Sequence, residues 1–428
     1  MKIQNFRELA VTKEREAALA IAEAGLEAID TATAVARGVS YENGVLLIQG
    51  KYFPLKDVDR IFIIGAGKCA FDAAETLERI LGEKLTGGTV VSLCETELKR
   101  VKTFCGTHPF PTLINVEATG EIIKTITGLT ERDLVLAIVS GGGSTMLAQP
   151  EKLTVENETD ILKSLFKKGA TIEDINILRK HISYARGGFL AQYAYPAQVV
   201  SLIFSDVPGN DILYIASGPT VKDTTTVADA AAIINKYGLE KELGIQIPLI
   251  ETPKDDKYFA RVWNTVLVSN ESALDAMAAK AKELGFTANI RTAKLAGEAR
   301  DVARDILNEL HAAEPRTVLL YGGETTVTIT TDKPGKGGRN LEGALSACAS
   351  VAVGELYMTV ASDGRDNSDF AGALCDIMTK EKARQLDIDA GQHLKDNASY
   401  RFFERVGDKL LTGETGSNVS DLIIAIKI

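Results

Sequence analysis

At 428 residues, with 45% hydrophobic and 25% charged content, the chain has material for two or three soluble globular domains. A formal net charge of −10, with no Lys/Arg-rich block and interleaved aromatics, excludes a general nucleic-acid binder, and no apolar run approaches the ~18 residues of a membrane span. Five cysteines without a C-x-x-C pair and four histidines without zinc spacing leave Asp, Glu, Lys, Arg and Ser to carry the chemistry.

Residues 5–37 predict a long amphipathic helix rather than a signal peptide, so the expected location is cytoplasmic. A hairpin is expected around Gly44. Strand 60–64 leads to a helix near Lys68. A strand over 88–93 follows the Gly87-Gly88 break, and strand 133–139 runs into three glycines. Helices near 157–168, 172–184 and 187–195 precede strand 198–204. This alternation predicts an α/β fold with a mainly parallel, Rossmann-like sheet covered on both faces. Residues 239–258, with two prolines and little periodicity, mark a boundary between a first domain over 1–240 and a second α/β domain over 260–428. In the second, strand 262–268 leads to a helix capped by Asn270. A strand at 287–291, a helix at 296–312, paired strands at 317–321 and 325–330, a helix from 339, a strand at 357–361 and the closing run LIIAIKI follow. The antiparallel character of 317–330 predicts a mixed sheet.

Short apolar runs end again and again in glycine-rich turns that carry one polar residue. In open α/β sheets such turns collect at strand carboxyl ends, where ligands bind. Gly65-Ala66-Gly67-Lys68-Cys69-Ala70 fits G-x-G-x-x-A, with Glu95 placed to act as a ribose acid. Lys68 falls in a helix's first turn, where the macrodipole disfavours a cation unless an anion neutralises it; a tight structural turn is the alternative. Ser140-Gly141-Gly142-Gly143-Ser144 offers bare N–H groups and hydroxyls for anionic oxygens, or else a close crossing of packed backbones. Arg179, Lys180 and His181 share one helix, with Arg186 before two glycines, and face either a substrate or solvent. Asp206 stands at a strand end with Asp211, Ser217, Gly218 and Thr220 close behind; it is a candidate catalytic carboxylate or Mg²⁺ ligand. Gly322-Gly323-Glu324 and Asp363 end two further runs. Arg339-Asn340 opens a helix after the flexible loop Lys333–Gly338, where a planar guanidinium suits phosphate or carboxylate.

Taken together, these stretches resemble the glycerate 2-kinase family, also called MOFRL or TtuD/GckA-like. They are Gly65-Ala-Gly-Lys68, Thr107-His-Pro109, VSGGGS at 139–144, RKH at 179–181, SDVPGND at 205–211, ASGPTV at 216–221, YGGET at 321–325, GKGGRN at 335–340, ASDG at 361–364 and TGETGSNVSDL at 412–422. The resemblance covers nearly the whole chain. It implies a two-domain α/β enzyme that phosphorylates D-glycerate at the 2-hydroxyl with ATP and Mg²⁺, in a cleft between its domains. Carried onto this sequence, Lys68, Asp206 and Arg339 are the expected catalytic residues, and Asp206, Glu324 and Asp363 the metal candidates. Gly65, Gly67, Ser140, Gly141, Gly142, Gly143, Ser144, Arg179, Ser217, Gly218, Thr220, Gly322, Gly323 and Asn340 are the expected binders of substrate or nucleotide. Expected alternatives are an NAD(P)H-dependent hydroxypyruvate reductase and a non-catalytic nucleotide or sugar-acid sensor. Glycerate is the expected small-molecule partner; neither nucleic acid nor membrane is expected, and the oligomeric state stays open, with a homodimer among the options.

Overall fold

The computed structural model describes every residue except Cys94, Glu95, Glu151 and Pro208, so the expected ribose acid Glu95 lies outside the described residues. The chain divides into two compact units: Ala34–Leu267, and Met1–Thr33 together with Val268–Ile428.

The first unit begins with an antiparallel three-stranded sheet, β1 (Val39–Glu42), β2 (Val45–Ile48) and β3 (Lys51–Pro54). Its main sheet comprises β4 (Arg60–Ala66), β5 (Gly87–Ser92), β6 (Val101–Cys105), β7 (Asp133–Ser140), β8 (Gln198–Phe204) and β9 (Val262–Val268). The order is β6-β5-β4-β7-β8-β9, and β6 through β8 run parallel. Counted from β4 as strand 1, this is 3-2-1-4-5-6, the order of doubly wound α/β sheets. Such a sheet has its ligand crevice at the carboxyl ends of the strands where the order reverses, here β4 and β7. β7 is buried at every position, as a strand covered on both faces demands. A core of Ile64, Val91, Ile122, Val135, Leu147 and Leu190 lies on one face of this sheet. A separate helical core joins Ile161, Leu165 and Leu178 to Ile233, Leu239 and Ile247.

The second unit is built on β10 (Thr287–Leu295), β11 (Thr317–Gly323), β12 (Glu355–Ala361), β13 (Gly372–Asp376), β14 (Lys409–Leu410) and β15 (Asp421–Lys427), in the order β10-β11-β15-β12-β13-β14. Only β10 and β11 pair in parallel; the mixed character comes from the C-terminal β15, inserted antiparallel to both β11 and β12. Residues 325–330 do not form the expected strand, apart from a single bridge from Thr326 to Glu298. Cys348 and Cys375 are buried and joined as a disulfide, their Cα atoms 5.8 Å apart.

The division differs from the expected domains in two places, for physical reasons. β9, expected to open the second domain, is instead the edge strand of the first sheet, and residues 239–250 pack into the helical core of that unit. The N-terminal residues group with the C-terminal unit because the helix Lys13–Ala28 packs on the helix Asn270–Glu283. Arg15, fully buried, locks it there by donating to Asp376 at 2.6 and 2.7 Å and to Asp408 at 2.8 and 3.0 Å. The expected continuous helix over 5–37 is three helices, Phe6–Leu9, Lys13–Ala28 and Thr31–Gly38. Thr12 caps the second through the Arg15 N–H, and Asp30 accepts from the Thr33 N–H at the start of the third. The helix after β9 is capped by Ser269, and Asn270 instead donates to the Ala293 carbonyl at 2.7 Å. Among the described residues no helix is long and apolar enough to cross a membrane.

Candidate active site

In the first unit, four loops bring functional side chains to the carboxyl ends of the parallel strands. β4 passes through Gly65 and Gly67 to Lys68, whose N–H donates to the Gly141 carbonyl at 2.9 Å, tying the turn after β4 to the turn after β7. The three glycines after β7 each meet a different neighbour. A Cβ on Gly141 would lie 2.2 Å from Asp206 Oδ2, so the Asp206 carboxylate rests directly on this backbone. Gly142 has φ +82°, and a Cβ there would stand 3.3 Å from His108 Cδ2 and 3.4 Å from Lys68 Cγ. Gly143 abuts Ala216, and Gly67 abuts Ser140 in the same way. Both expectations for the triple glycine therefore have a physical basis: packed backbones cross here, and a base and a carboxylate close on the same turn. The polar loop expected after the glycines is a single helical turn, Gly143–Met146.

Ser144 and Ser217 are joined at 2.9 Å, and Ser217 donates to Asn176 Oδ1 at 2.7 Å. Since the single Ser217 proton goes to Asn176, Ser144 is the donor to Ser217. Ala216, Ser217 and Gly218 are consecutive left-handed residues, at φ +50°, +58° and +57°. Such a run is strained for the two non-glycines. It is held by the N–H groups of Gly187 and Gly188, which donate to the carbonyls of Ser217 and Gly218 at 2.9 and 2.8 Å. Thr220 stands apart: it accepts from Ser201 and donates to Asn264 Oδ1 at 2.8 Å, linking β8 to β9 inside the sheet.

The basic cluster on the helix Ile172–His181 separates into occupied and unoccupied members. Lys180 pairs with Asp223 at 3.1 Å, and His181 bonds the Ile250 carbonyl and Thr225 Oγ1. Arg186 is fully buried against the equally buried Glu158 at 2.6 Å. Arg179 has no such carboxylate. It is 9% exposed, its Nε lacks any hydrogen-bond partner, and burial followed by the Arg186 charge pushes it down to about 10. Lys68 likewise has no ion-pair partner among the described residues. His108, which follows β6, is the residue that sequence reasoning did not single out as functional. The surroundings of its ring, then Lys68 and Arg179, depress its basicity, which places it within reach of both cations' fields. The signal was the Thr107-His-Pro109 stretch, which lies at a strand end like the glycine turns.

In the second unit, the register Gly323–Asp421–Ala361 sets Asp421 beside the carboxyl ends of β11 and β12. Arg339 donates to Asp421 at 2.5 and 3.2 Å and meets Glu324 at 2.6 Å. Burial works against its charge, but these carboxylates outweigh burial and raise its affinity for its proton. Burial pushes Asp421 up to about 6. Asn340 is buried between Asp366, Asp421 and Thr359. The helix Arg339–Ser350 begins with the N–H groups of Asn340 and Leu341 donating to Asp366 at 3.0 and 2.7 Å. The anion expected at this helix N-terminus is thus the protein's own carboxylate. Gly322 lies against Asn270, and Gly323 against the Leu295 backbone. Asp363 accepts from the Arg365 N–H at 3.0 Å. A cavity of about 710 Å³ opens here, with Glu324, Arg339, Gly338 and Asn367 in its wall. Of the three metal candidates, Asp206 lies in the first unit, and Glu324 and Asp363 in the second.

Residues 17–248 match the model of a domain of unknown function, DUF4147, and residues 317–421 match the MOFRL family. A glycerate 2-kinase of Pyrococcus horikoshii is 37% identical, covering 96% of this chain and 97% of the relative. An Agrobacterium vitis relative with a provisional hydroxypyruvate reductase name is 35% identical over 86% of this chain and 87% of its own length. The crystal structure of a Thermotoga maritima glycerate kinase matches with a TM-score of 0.85 and 32% identity, covering 96% of this chain and 99% of that one. Sequence and fold therefore agree over nearly the full length, and the chain belongs to the glycerate 2-kinase family of enzymes.

Proposed function

We propose that the protein transfers the γ-phosphoryl group of ATP to the 2-hydroxyl of D-glycerate. The observation that carries this reading is the pairing of opposites on one glycine turn: Asp206 rests on Gly141, while Lys68 and His108 flank Gly142. Phosphoryl transfer needs positioning and charge neutralisation more than covalent chemistry, and the acceptor hydroxyl needs a proton acceptor. Asp206 supplies that acceptor. Lys68 supplies positive charge for the group in transfer, and the Ser144–Ser217–Asn176 hydrogen bonds hold the adjoining turn. Within the C-terminal unit Arg339, oriented by Asp421 and Glu324, is a separate candidate cation for phosphate or carboxylate.

Among the described residues no three His, Cys, Asp or Glu side chains gather to hold a metal ion. A Mg²⁺ ion that arrives with ATP does not require such a cage, because it keeps waters and takes one or two carboxylates with the phosphates. Asp206 fits as one of them; Glu324 and Asp363 are the candidates from the other unit, the first already facing Arg339. When bound, Mg²⁺ would neutralise phosphate oxygens and leave the protein's cations to the acceptor and the group in transfer. The reductase reading has less support, since the turn after β4 is occupied by contacts with β7 and by an anion-seeking lysine.

The test is to incubate the purified protein with Mg²⁺, ATP and D-glycerate and follow phosphorus NMR. The expected product is 2-phosphoglycerate. A 3-phosphoglycerate resonance would keep the kinase and overturn the position, and NADH-dependent loss of hydroxypyruvate without any phosphoester would overturn the kinase.

A further inference from the structure

Arg179 is a buried cation with no counter-charge of its own. Its neighbours in sequence show how this fold satisfies a base that is structural. Lys180 receives Asp223, His181 receives a carbonyl and a hydroxyl, and Arg186 receives Glu158. An unpartnered Nε is common to Arg179 and Arg186; what sets Arg179 apart is that no carboxylate is bonded to it, and a guanidinium 9% exposed without one is costly unless a ligand completes it. Two further bases meet at Gly142, Lys68 from the turn after β4 and His108 from the loop after β6, and the hydrogen bonds Ser144–Ser217–Asn176 tie that turn to the helix on which Arg179 lies three residues after Asn176. That His108 loop is firmly held. Asn115 accepts from the Thr107 N–H at 3.1 Å and donates to the Thr107 carbonyl at 3.0 Å, and Thr145 donates to the Pro109 carbonyl at 3.2 Å.

We propose that Arg179 and His108, beside Lys68, form the seat for the carboxylate of the acceptor acid, with His108 as a positioning residue that takes up a proton when the seat fills. The inference rests on the kinase reading for the identity of the acid, but the seat itself does not. A small organic anion bound by Arg179 would leave the acid's 2-hydroxyl free to point at Asp206 on the neighbouring glycine. The charged groups that act on His108 are Lys68 and Arg179, both positive, so the empty seat disfavours the imidazolium and an anion reverses the balance. Affinity for the acid therefore rises as pH falls through the range in which His108 takes up its proton.

The experiment uses the full chain without nucleotide. Imidazole resonances are recorded while D-glycerate is added, with His108→Gln identifying the His108 signal; inorganic phosphate is the second probe. The expected result is a saturable shift of the His108 signal toward its protonated position with D-glycerate, lost in Arg179→Lys. In turnover, Arg179→Lys and His108→Gln should raise the glycerate KM at least about ten-fold with the ATP KM unchanged, and His108→Gln should flatten the pH dependence of the glycerate KM. Arg179→Lys keeps a cation in place, and His108 lies at the surface, so both variants are expected to fold. A His108 signal that ignores D-glycerate overturns the proposal. A response to phosphate alone also overturns it and assigns the seat to the phosphoryl group instead. If glycerate moves the signal yet no phosphoester forms with ATP, the seat stands and the kinase reading falls.

Discussion

The two units treat an arginine in opposite ways, one half-buried and one buried. In the C-terminal unit Arg339 is gripped by Asp421 and Glu324, and the adjacent helix N-terminus is filled by Asp366. In the other unit Arg179 is more deeply enclosed and has neither carboxylate nor complete hydrogen bonding. Both occur in basic stretches of the family pattern, and a motif alone does not separate them. The electrostatic state does. A satisfied guanidinium is already part of the structure and acts as an oriented charge, whereas an unsatisfied one is a site awaiting its ligand. The same contrast runs along the helix Ile172–His181, where three consecutive bases have three different fates.

The largest effects should come from the groups proposed to act on the reacting atoms. Lys68→Ala and Asp206→Asn are each expected to lower kcat by about 10²–10⁴-fold, with circular dichroism and thermal midpoint close to those of the parent. Near-parental turnover in both would remove the Gly141–Gly142 turn from the chemistry. Next comes a stability comparison that bears directly on the two arginines. Arg339→Met strands the buried Asp421 carboxylate and should cost about 3–5 kcal/mol in urea unfolding. Arg179→Met removes a cation whose burial and repulsion by Arg186 outweigh the pull of Glu158, so the ligand-free protein should be unchanged or stabilised by about 1 kcal/mol, while losing acceptor affinity. Equal destabilisation by both would show that Arg179 has a structural partner after all, and the comparison would collapse.

Much of the architecture was legible because period and punctuation agree. β4, β7 and β8 are continuous apolar runs that end in glycine or serine, and a parallel sheet buried on both faces requires such runs. The candidate catalytic turns were legible for the same reason: Gly141 has no room for a side chain and Gly142 has φ +82°, and both exclusions are written in the sequence. What escaped was long-range. Arg15 belongs with Asp376 and Asp408, 361 and 393 residues away, and no local pattern announces a pairing that sends the N-terminal helix to the C-terminal unit. The placement of β15 between β11 and β12 is equally non-local, so the mixed sheet was expected from a hairpin that does not exist. His108 was missed because its loop carries one titratable group and a single glycine, Gly106, and its relation to Lys68 and Arg179 arises only when three strand ends converge.

The pH response of Asp421 sharpens the account of the partnered arginine. Burial raises its carboxyl to about 6, against the pull of Arg339 and Asn340. The ordinary aspartate value is about 3.9, so between these limits the folded state holds more protons than the unfolded chain. The contribution of this group is fully present below about pH 4 and is lost as pH rises through 6, by roughly 1 kcal/mol per pH unit at most. Asp421→Asn should therefore narrow its stability deficit relative to the parent as pH is raised from about 4 to 6. A deficit that widens instead would mean that the Arg339 pairing outweighs burial and holds Asp421 ionised throughout.

The smallest expected effect concerns Thr220, which the sequence pattern groups with Ser217 and Gly218 as a binder. Its hydroxyl is fully engaged, receiving from Ser201 at 2.9 Å and donating to Asn264 at 2.8 Å, and the residue is 1% exposed. Thr220→Val preserves the shape and removes both bonds, leaving Asn264 Oδ1 without this donor. The expected cost is about 1–2 kcal/mol of stability, with the glycerate KM within about two-fold of the parent. Ser217→Ala, earlier in the same loop, breaks the chain from Ser144 to Asn176 and with it the link between the glycine turn and the helix that carries Arg179. It should raise the glycerate KM more than Thr220→Val does. If the two substitutions shift KM equally, Thr220 matters to binding as much as Ser217 does, and the distinction between a hydroxyl that ties the glycine turn to the Arg179 helix and one that only links β8 to β9 does not hold.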